Sequence, residues 1–296
     1  QKTAYEIMPS LVGSEMCIRD SWKDMPEKWP RMIGVNGFVR VEGEKMSKSR
    51  GNVIPLRDLI KQFGADLVRI NIVASSEDLE DADWRVENIK SYRNRIEFIF
   101  RLIRDLKKMK SKEVRNVDRF LLSRLQKHVK ETTEFFEKLK FRSAVNSCLF
   151  EATNDLRWYI SRVGGVENAN PKIVREVLSV IVRLIAPLTP HVCEEMWSML
   201  GNENFVSVAR WPKVDEKLVD EEAELSEQLV KQTHEDINEI IKLVGKKPKR
   251  IRIIIAPKWK FGIYEKVIKE RKVNIRRIVE KFGKEKQIVD YCQILM

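Results

Sequence analysis

The chain has 296 residues, 43% of them hydrophobic and 34% charged, enough apolar material for more than one packed core. No apolar run reaches the roughly 18 residues of a membrane span, and Arg183 and Arg252 interrupt the longest ones, so no membrane helix and no membrane partner are expected. Cys17, Cys148, Cys193 and Cys292 form no Cys-x-x-Cys pair, which argues against zinc and against a disulfide framework and fits a reducing cytoplasm.

Residues 1–21 read as a non-native leader, with a genuine but unusual loop as the alternative. They mix Pro, Gly, Ser and isolated apolar residues without period, and residues 10–21 resemble translated sequencing-adapter sequence. Residues 29–41 carry short apolar stretches around Gly34, Asn36 and Gly37, the pattern of strands and a turn. Residues 43–52 form a polar, basic loop. A short helix follows over 56–63, closed by Gly64, and a second over 65–73.

Four longer helices with one apolar face each are predicted next, which makes the middle of the chain a bundle. Residues 85–106 place Ile89, Tyr92, Ile96, Ile99, Ile103 and Leu106 on one side. Residues 117–139 do the same with Leu121, Leu125, Val129, Thr132, Phe136 and Leu139, and residues 141–163 with Val145, Cys148, Leu149, Ala152, Leu156 and Tyr159. Cys148 and Cys193 thus read as buried thiols. Asn170-Pro171 is an N-cap and first-turn pair opening a helix that Pro187 ends, and Thr189-Pro190 opens the next one through Leu200. His128 and His234 have no partner pattern and read as surface residues. Residues 215–244 read as a long polar helix, residues 250–256 as a strand with Ile251, Ile253 and Ile255 on one face, and residues 259–270 and 274–282 as helices.

Charge is concentrated at the end. Between Gly245 and Lys286 there are sixteen basic residues and four acidic ones, so this stretch carries the whole formal +12 and the rest is neutral. A small basic α/β module on a neutral body points to a polyanion partner, with a merely solvated basic face as the alternative.

Lys45-Met46-Ser47-Lys48-Ser49, followed by Arg50-Gly51-Asn52, resembles the KMSKS loop of class I aminoacyl-tRNA synthetases. Strand-like Gly37-Phe38-Val39-Arg40-Val41 precedes it and Gly64-Ala65-Asp66-Leu67-Val68-Arg69 follows. Ala186-Pro187-Leu188-Thr189-Pro190-His191-Val192-Cys193-Glu194-Glu195-Met196-Trp197 resembles the bundle motif of the leucyl, isoleucyl, valyl and methionyl subgroup. Lys247-Pro248-Lys249-Arg250-Ile251, Ala256-Pro257-Lys258-Trp259-Lys260 and Val35-Asn36-Gly37-Phe38 resemble the leucyl type of archaea and the eukaryotic cytosol.

The resemblance implies a mainly α fold: a Rossmann-type catalytic remnant (22–64), an anticodon-binding-type bundle (65–213), a linker helix (214–244) and a basic tRNA-binding module (245–296), truncated at its end. It implies ATP as a substrate, Mg2+ with it, no zinc in this chain, and tRNA(Leu) and leucine as partners of the intact enzyme. Lys48 and Lys45 become the catalytic ATP and pyrophosphate contacts, because ammonium groups on a mobile loop can favour the charge that grows on the leaving phosphates. Met46 anchors the loop, Ser47 and Ser49 allow close approach, and Gly43 and Gly51 act as hinges. Lys246, Lys247, Lys249, Arg250, Lys258 and Lys260 become the tRNA contacts. Asp83-Trp84-Arg85 resembles the segment bracing the loop, with Trp84 packing, and His191 reads as structural. No His-x-Gly-His string is present, so this chain alone is expected to be inactive. A non-catalytic tRNA-binding module and an isoleucyl, valyl or methionyl ligase are the alternatives.

Overall fold

The structure is a computed structural model describing residues 23–28, 37–246, 248–270 and 278. The expected leader, residues 29–36 and, apart from Ile278, the helix expected at 274–282 lie outside the described residues. The chain divides into two compact units, Gln1–Gln232 and Thr233–Met296.

The first unit opens with a tight hairpin. Strands β1 (Val39–Val41) and β2 (Glu44–Lys45) pair antiparallel, Arg40 opposite Lys45 and Val41 opposite Glu44. The two residues between them, Glu42 and Gly43, have φ of 49° and 84°. Positive φ at both positions is the two-residue turn whose twist matches paired strands, and Gly meets its second position without strain. Helices α1 (Leu56–Phe63) and α2 (Ala65–Val73) cross over to β3 (Ala82–Trp84), which lies parallel to β1 with Val41 opposite Trp84. Gly64 ends α1 as expected, its N–H reaching the Ile60 carbonyl. Leu59, Val68, Trp84 and Ile89 form a small core under this sheet. Trp84 therefore packs, as expected, with the Phe63 ring 6.4 Å away.

The bundle follows: α3 (Val86–Asp105), α4 (Asn116–Glu137), α5 (Phe141–Val145), a π-helical stretch (Asn146–Glu151), α6 (Ala152–Arg162), α7 (Pro171–Ile185) and α8 (Pro190–Met199). The predicted faces are the buried ones. Ile89, Ile99, Leu121, Leu156, Leu178 and Ile181 are each at most 1% exposed, and each such side chain contributes about 1.5–3 kcal/mol on leaving water. Asn170 caps α7 as its sequence promised, its side-chain oxygen accepting from the Lys172 N–H at 3.1 Å. Thr189 does not cap α8: its hydroxyl turns back to the Ile185 carbonyl at 3.1 Å.

Four expectations are corrected. Leu139 is not on the buried face of α4: it lies past the helix end at φ 58°, exposed. The helix over 141–163 is not uniform, since its middle is π-helical. His128 is buried at 1% exposure, because it falls between Leu125 and Thr132 on the inward stripe of α4. The polar helix begins late, as α9 (Glu221–Val244), because Asp220 takes the cap position and its carboxylate accepts the Ala223 N–H at 2.9 Å.

In the second unit, which starts within α9, α10 (Lys258–Glu270) forms as predicted. Residues 250–256 are not a strand: no pairing partner exists among the described residues, and alternation of isoleucine alone makes no ladder. Ile253, Ile254 and Ile255 are exposed accordingly.

Candidate functional site

The hairpin delivers Lys45 at the end of β2 and turns the chain into the loop. Asn52 ties the loop's base: its side-chain oxygen accepts the Ser47 N–H at 2.9 Å and its amide donates to the Lys45 carbonyl at 3.1 Å. Between these anchors Lys48–Arg50 make a single 3-10 turn, closed by Gly51 at φ 67° with its N–H on the Lys48 carbonyl. The Ser47 and Ser49 hydroxyls lie 3.3 Å apart, and Arg50 pairs with Glu44 at 2.6 Å. Met46 is half-buried and its N–H points to the Val39 carbonyl at 3.4 Å, consistent with an anchor.

The two lysines differ. Lys45 rests its ammonium over the Phe38 ring, 5.0 Å from the centroid. Lys48 is exposed at the turn and makes no ion pair among the described residues. An ammonium 4 Å from a phosphate charge gains only about 1 kcal/mol in bulk water but about 4 kcal/mol at an effective dielectric of 20. An ammonium on so exposed a loop would gain strongly from a phosphate charge only if something covered the pair.

The brace is explicit. Asp83 accepts the Gly43 N–H at 2.9 Å and Arg85 at 2.7 Å. Partial burial works the other way, yet these two donors hold the Asp83 carboxyl below the usual range. Glu42 donates its N–H to the Trp84 carbonyl at 3.0 Å, and its side chain accepts the Val86 N–H at 3.0 Å. Gly43 is thus pinned at the hairpin turn rather than free to act as a hinge. Asp81 adds a second clamp, accepting the Phe38 N–H at 2.8 Å and the Arg40 Nε and Nη2 donors at 2.9 and 2.6 Å.

A link that the sequence did not suggest joins the two flanking motifs. Asp66, 5% exposed on α2, accepts the Val192 N–H at 2.8 Å, His191 Nδ1 at 2.8 Å and Arg69 at 2.8 Å. It supplies from outside the cap that Thr189 withholds from α8. His191 is therefore a structural contact, as read. Asn52 and Asp66 are the residues that sequence reasoning passed over; Asn52 stood two positions after Arg50, but its partners are visible only in three dimensions.

In the second unit Lys246, Lys249, Arg250 and Lys258 are exposed, Lys260 is half-buried with its ammonium 5.6 Å from the Trp259 ring, and Lys247 lies outside the described residues. Lys258 and Lys260 sit in the first turn of α10, which has no acidic residue. Cations at the positive end of a helix dipole do not serve the helix.

The chain resembles known proteins along most of its length. The family description "Anticodon-binding domain of tRNA ligase" matches residues 118–268, and "tRNA synthetases class I (M)" matches residues 18–103. A leucine–tRNA ligase of Pyrococcus abyssi is 41% identical over 250 residues, 83% of this chain and 26% of that protein. One of Methanothrix thermoacetophila is 43% identical over 236 residues, 78% of this chain and 24% of that protein. The chain thus spans about a quarter of the length of the curated relatives it matches. Among solved structures, the ternary complex of Agrobacterium radiobacter K84 agnB2 LeuRS with tRNA and LeuAMS superposes with a TM-score of 0.53 at 28% identity, over 62% of this chain and 24% of that one. Among the described residues no helix is long and apolar enough to cross a membrane. Loop, brace, bundle and relatives agree: the chain belongs to the family of tRNA ligases that carry this anticodon-binding domain, on the class I synthetase branch.

Proposed function

We propose that this chain is the loop-bearing and tRNA-docking part of a leucine–tRNA ligase, which activates leucine with ATP and transfers it to tRNA(Leu) in the cytoplasm. The observation that carries the reading is Lys48, an exposed ammonium without an ion pair among the described residues, in a turn whose base is tied by Asn52 and whose hairpin is clamped by Asp83. In activation a carboxylate attacks the α-phosphate and negative charge moves onto the departing pyrophosphate. Lys48 is the principal contact for that charge. Lys45 supports it by leaving the Phe38 face, and the backbone of Met46, Ser47 and Ser49 approaches the phosphates. The loop's donors are ammonium groups and its Glu44 is engaged with Arg50, so Mg2+ fits here only as the ion that ATP phosphates bring.

Residues 22–64 act as the catalytic-domain part, 65–213 as the docking bundle, 214–244 as the linker and 245–296 as the basic module. Lys246, Lys247, Lys249, Arg250, Lys258 and Lys260 hold tRNA phosphates. The cations in the first turn of α10 support this, because a helix start with added lysines favours phosphate.

The test uses the complete protein. Lys48→Ala should lower leucine-dependent ATP–pyrophosphate exchange by about 10²–10³, the usual loss for one transition-state charge contact, with leucine binding unchanged. Normal turnover would refute the role of the loop. Binding of this chain to tRNA should fall with salt at a log–log slope of about −0.7 to −0.9 per phosphate and weaken on removal of residues 246–296.

A further inference from the structure

Outside the basic end module the chain is neutral as a whole, but its charge is not evenly spread. Residues 101–112 hold six basic residues and one acidic one, an excess that acidic residues elsewhere conceal. They cover the end of α3, a single 3-10 turn (Leu106–Lys108) and the start of the connection to α4. The apolar members turn inward: Leu102, Ile103, Leu106 and Met109 are buried. Arg101, Arg104, Lys107, Lys110 and Lys112 are exposed and make no ion pair among the described residues. Carboxylates hold their neighbours instead. Lys108 pairs with Asp105 at 2.6 Å, Arg115 with Asp118 at 3.3 Å and Arg119 with Asp220 at 3.2 Å.

A helix end attracts cations, because its last carbonyls carry partial negative charge. That accounts for Arg104 and Lys107. Lys110 and Lys112 lie beyond the last turn, where this attraction has faded. Their backbone is nonetheless tied down. Lys110 donates its N–H to the Glu167 carbonyl at 3.0 Å, and Ser111 donates its own to the Ala169 carbonyl at 3.3 Å. The Glu113 carbonyl accepts the Asn170 side-chain amide at 3.2 Å, and Arg115 Nη2 donates to the Asn168 carbonyl at 2.8 Å. Like charges set side by side repel, and a tied backbone limits how far they can spread. A partner bringing negative charge relieves the repulsion and meets a surface that is already ordered.

We propose that Arg101, Arg104, Lys107, Lys110 and Lys112 form a docking ridge for the phosphate backbone of a folded RNA. The chemistry of the partner follows from what the ridge lacks. Within residues 101–112 no large apolar side chain is exposed. A protein partner is anchored by apolar and aromatic side chains, and a membrane surface takes up an apolar face. A row of phosphates needs only cations. The ridge belongs to the first compact unit and is separate in sequence from the lysines of the end module. It rests on the tRNA-docking reading only for which RNA is bound.

The test measures binding of the full chain to a labelled tRNA transcript at several salt concentrations. Lys107→Gln, Lys110→Gln and Lys112→Gln together should make the log–log slope shallower by about 2–3, at about 0.7–0.9 per phosphate. The parent then loses about 20- to 40-fold more affinity than the variant between about 0.05 and 0.2 M salt. A control variant carries Lys90→Gln, Lys130→Gln and Lys138→Gln, at exposed positions toward the far ends of α3 and α4. It makes the same change in net charge and should keep the parent's slope. All substituted positions are exposed, so the thermal melts should match. Should the triple variant melt early, Lys110→Gln with Lys112→Gln, outside any helix, should still change the slope by about 1.4–1.8.

An unchanged slope, or an equal change in the control, overturns the ridge. So does a variant that keeps its affinity for tRNA but loses binding to phosphatidylserine vesicles, which would assign the cations to a membrane surface. In the complete protein the triple variant should raise the KM for tRNA and leave leucine-dependent ATP–pyrophosphate exchange, a step without tRNA, unchanged. Failure of the ridge is thereby separate from failure of the ligase reading, which Lys48→Ala tests through that exchange.

Discussion

Removing the Asp66 carboxylate tests whether the loop-bearing segment and the bundle are tied at one point. Asp66→Ala frees three donors at once: the Val192 N–H, His191 Nδ1 and Arg69. Arg69 and His191 can turn to water, since their side chains are 39% and 72% exposed. The Val192 N–H, in the first turn of α8, cannot be satisfied by Thr189, whose hydroxyl is committed to Ile185. A lost cap costs about 0.5–2 kcal/mol, and a hydrogen bond to a charged group about 1.5–3 kcal/mol. The two describe the same group and do not add, so the expected loss is about 2 kcal/mol. Urea unfolding followed by tryptophan fluorescence reads it directly. With an m-value of about 2 kcal/mol per molar, the midpoint falls by about 1 M. Asp66→Asn keeps an oxygen for the backbone N–H and should lose about half as much. A midpoint for Asp66→Ala within about 0.25 M of the parent, or an Asn variant as damaged as Ala, would refute the cap.

Three further outcomes follow from named contacts. Asp155 has its folded carboxyl depressed to about 2, so its contribution is fully present above the unfolded value near 3.9 and is lost as pH falls through about 2. The parent should therefore lose about 2 kcal/mol more than Asp155→Asn between about pH 4 and pH 2 in acid titrations of stability; parallel curves would contradict this. Burial pushes the Cys193 thiol up to about 12 and the Cys148 thiol higher. Peptides carrying either should escape alkylation at about pH 8 until urea unfolds the chain, as peptide-mapping mass spectrometry can show. A Cβ at Gly37 would stand 2.2 Å from Asp81 Oδ1 and 3.0 Å from the Asp81 backbone. Gly37→Ala should therefore open the Asp81 clamp and cost about 1–3 kcal/mol, seen as faster hydrogen exchange of Phe38 and the β1 amides.

The bundle was legible because its information is local. An apolar residue every third or fourth position fixes which face turns inward, and Asn170-Pro171 marks a helix start whatever lies around it. The five-residue loop string was legible for the same reason. What escaped depended on distance along the chain. His128 lay in the inward series of α4, but polarity suggested the surface, and only Asp155 and Ser147, 27 and 19 residues away, explain its burial. Asp66 meets Val192 across 126 residues. The π-turn at Asn146–Glu151 is signalled by no period in the sequence. The isoleucines of 250–256 misled because alternation describes a strand's faces and says nothing about whether a neighbour is present to bond its edges.

The Glu42–Gly43 turn has a mechanical consequence. Its three bonds, to the Asp83 side chain, the Trp84 carbonyl and the Val86 N–H, land on the end of β3 and the first residue of α3. Through β3 the hairpin is thus tied to the start of that helix, and the Asn52 bonds mark where those ties end. A tilt of α3 by a few degrees would swing the tip as a lever swings, carrying Lys48 farther than any residue nearer the fulcrum. Only the short stretch from Met46 to Gly51 remains to bend by itself, so a torque applied anywhere on α3 sets the resting angle from which that stretch closes.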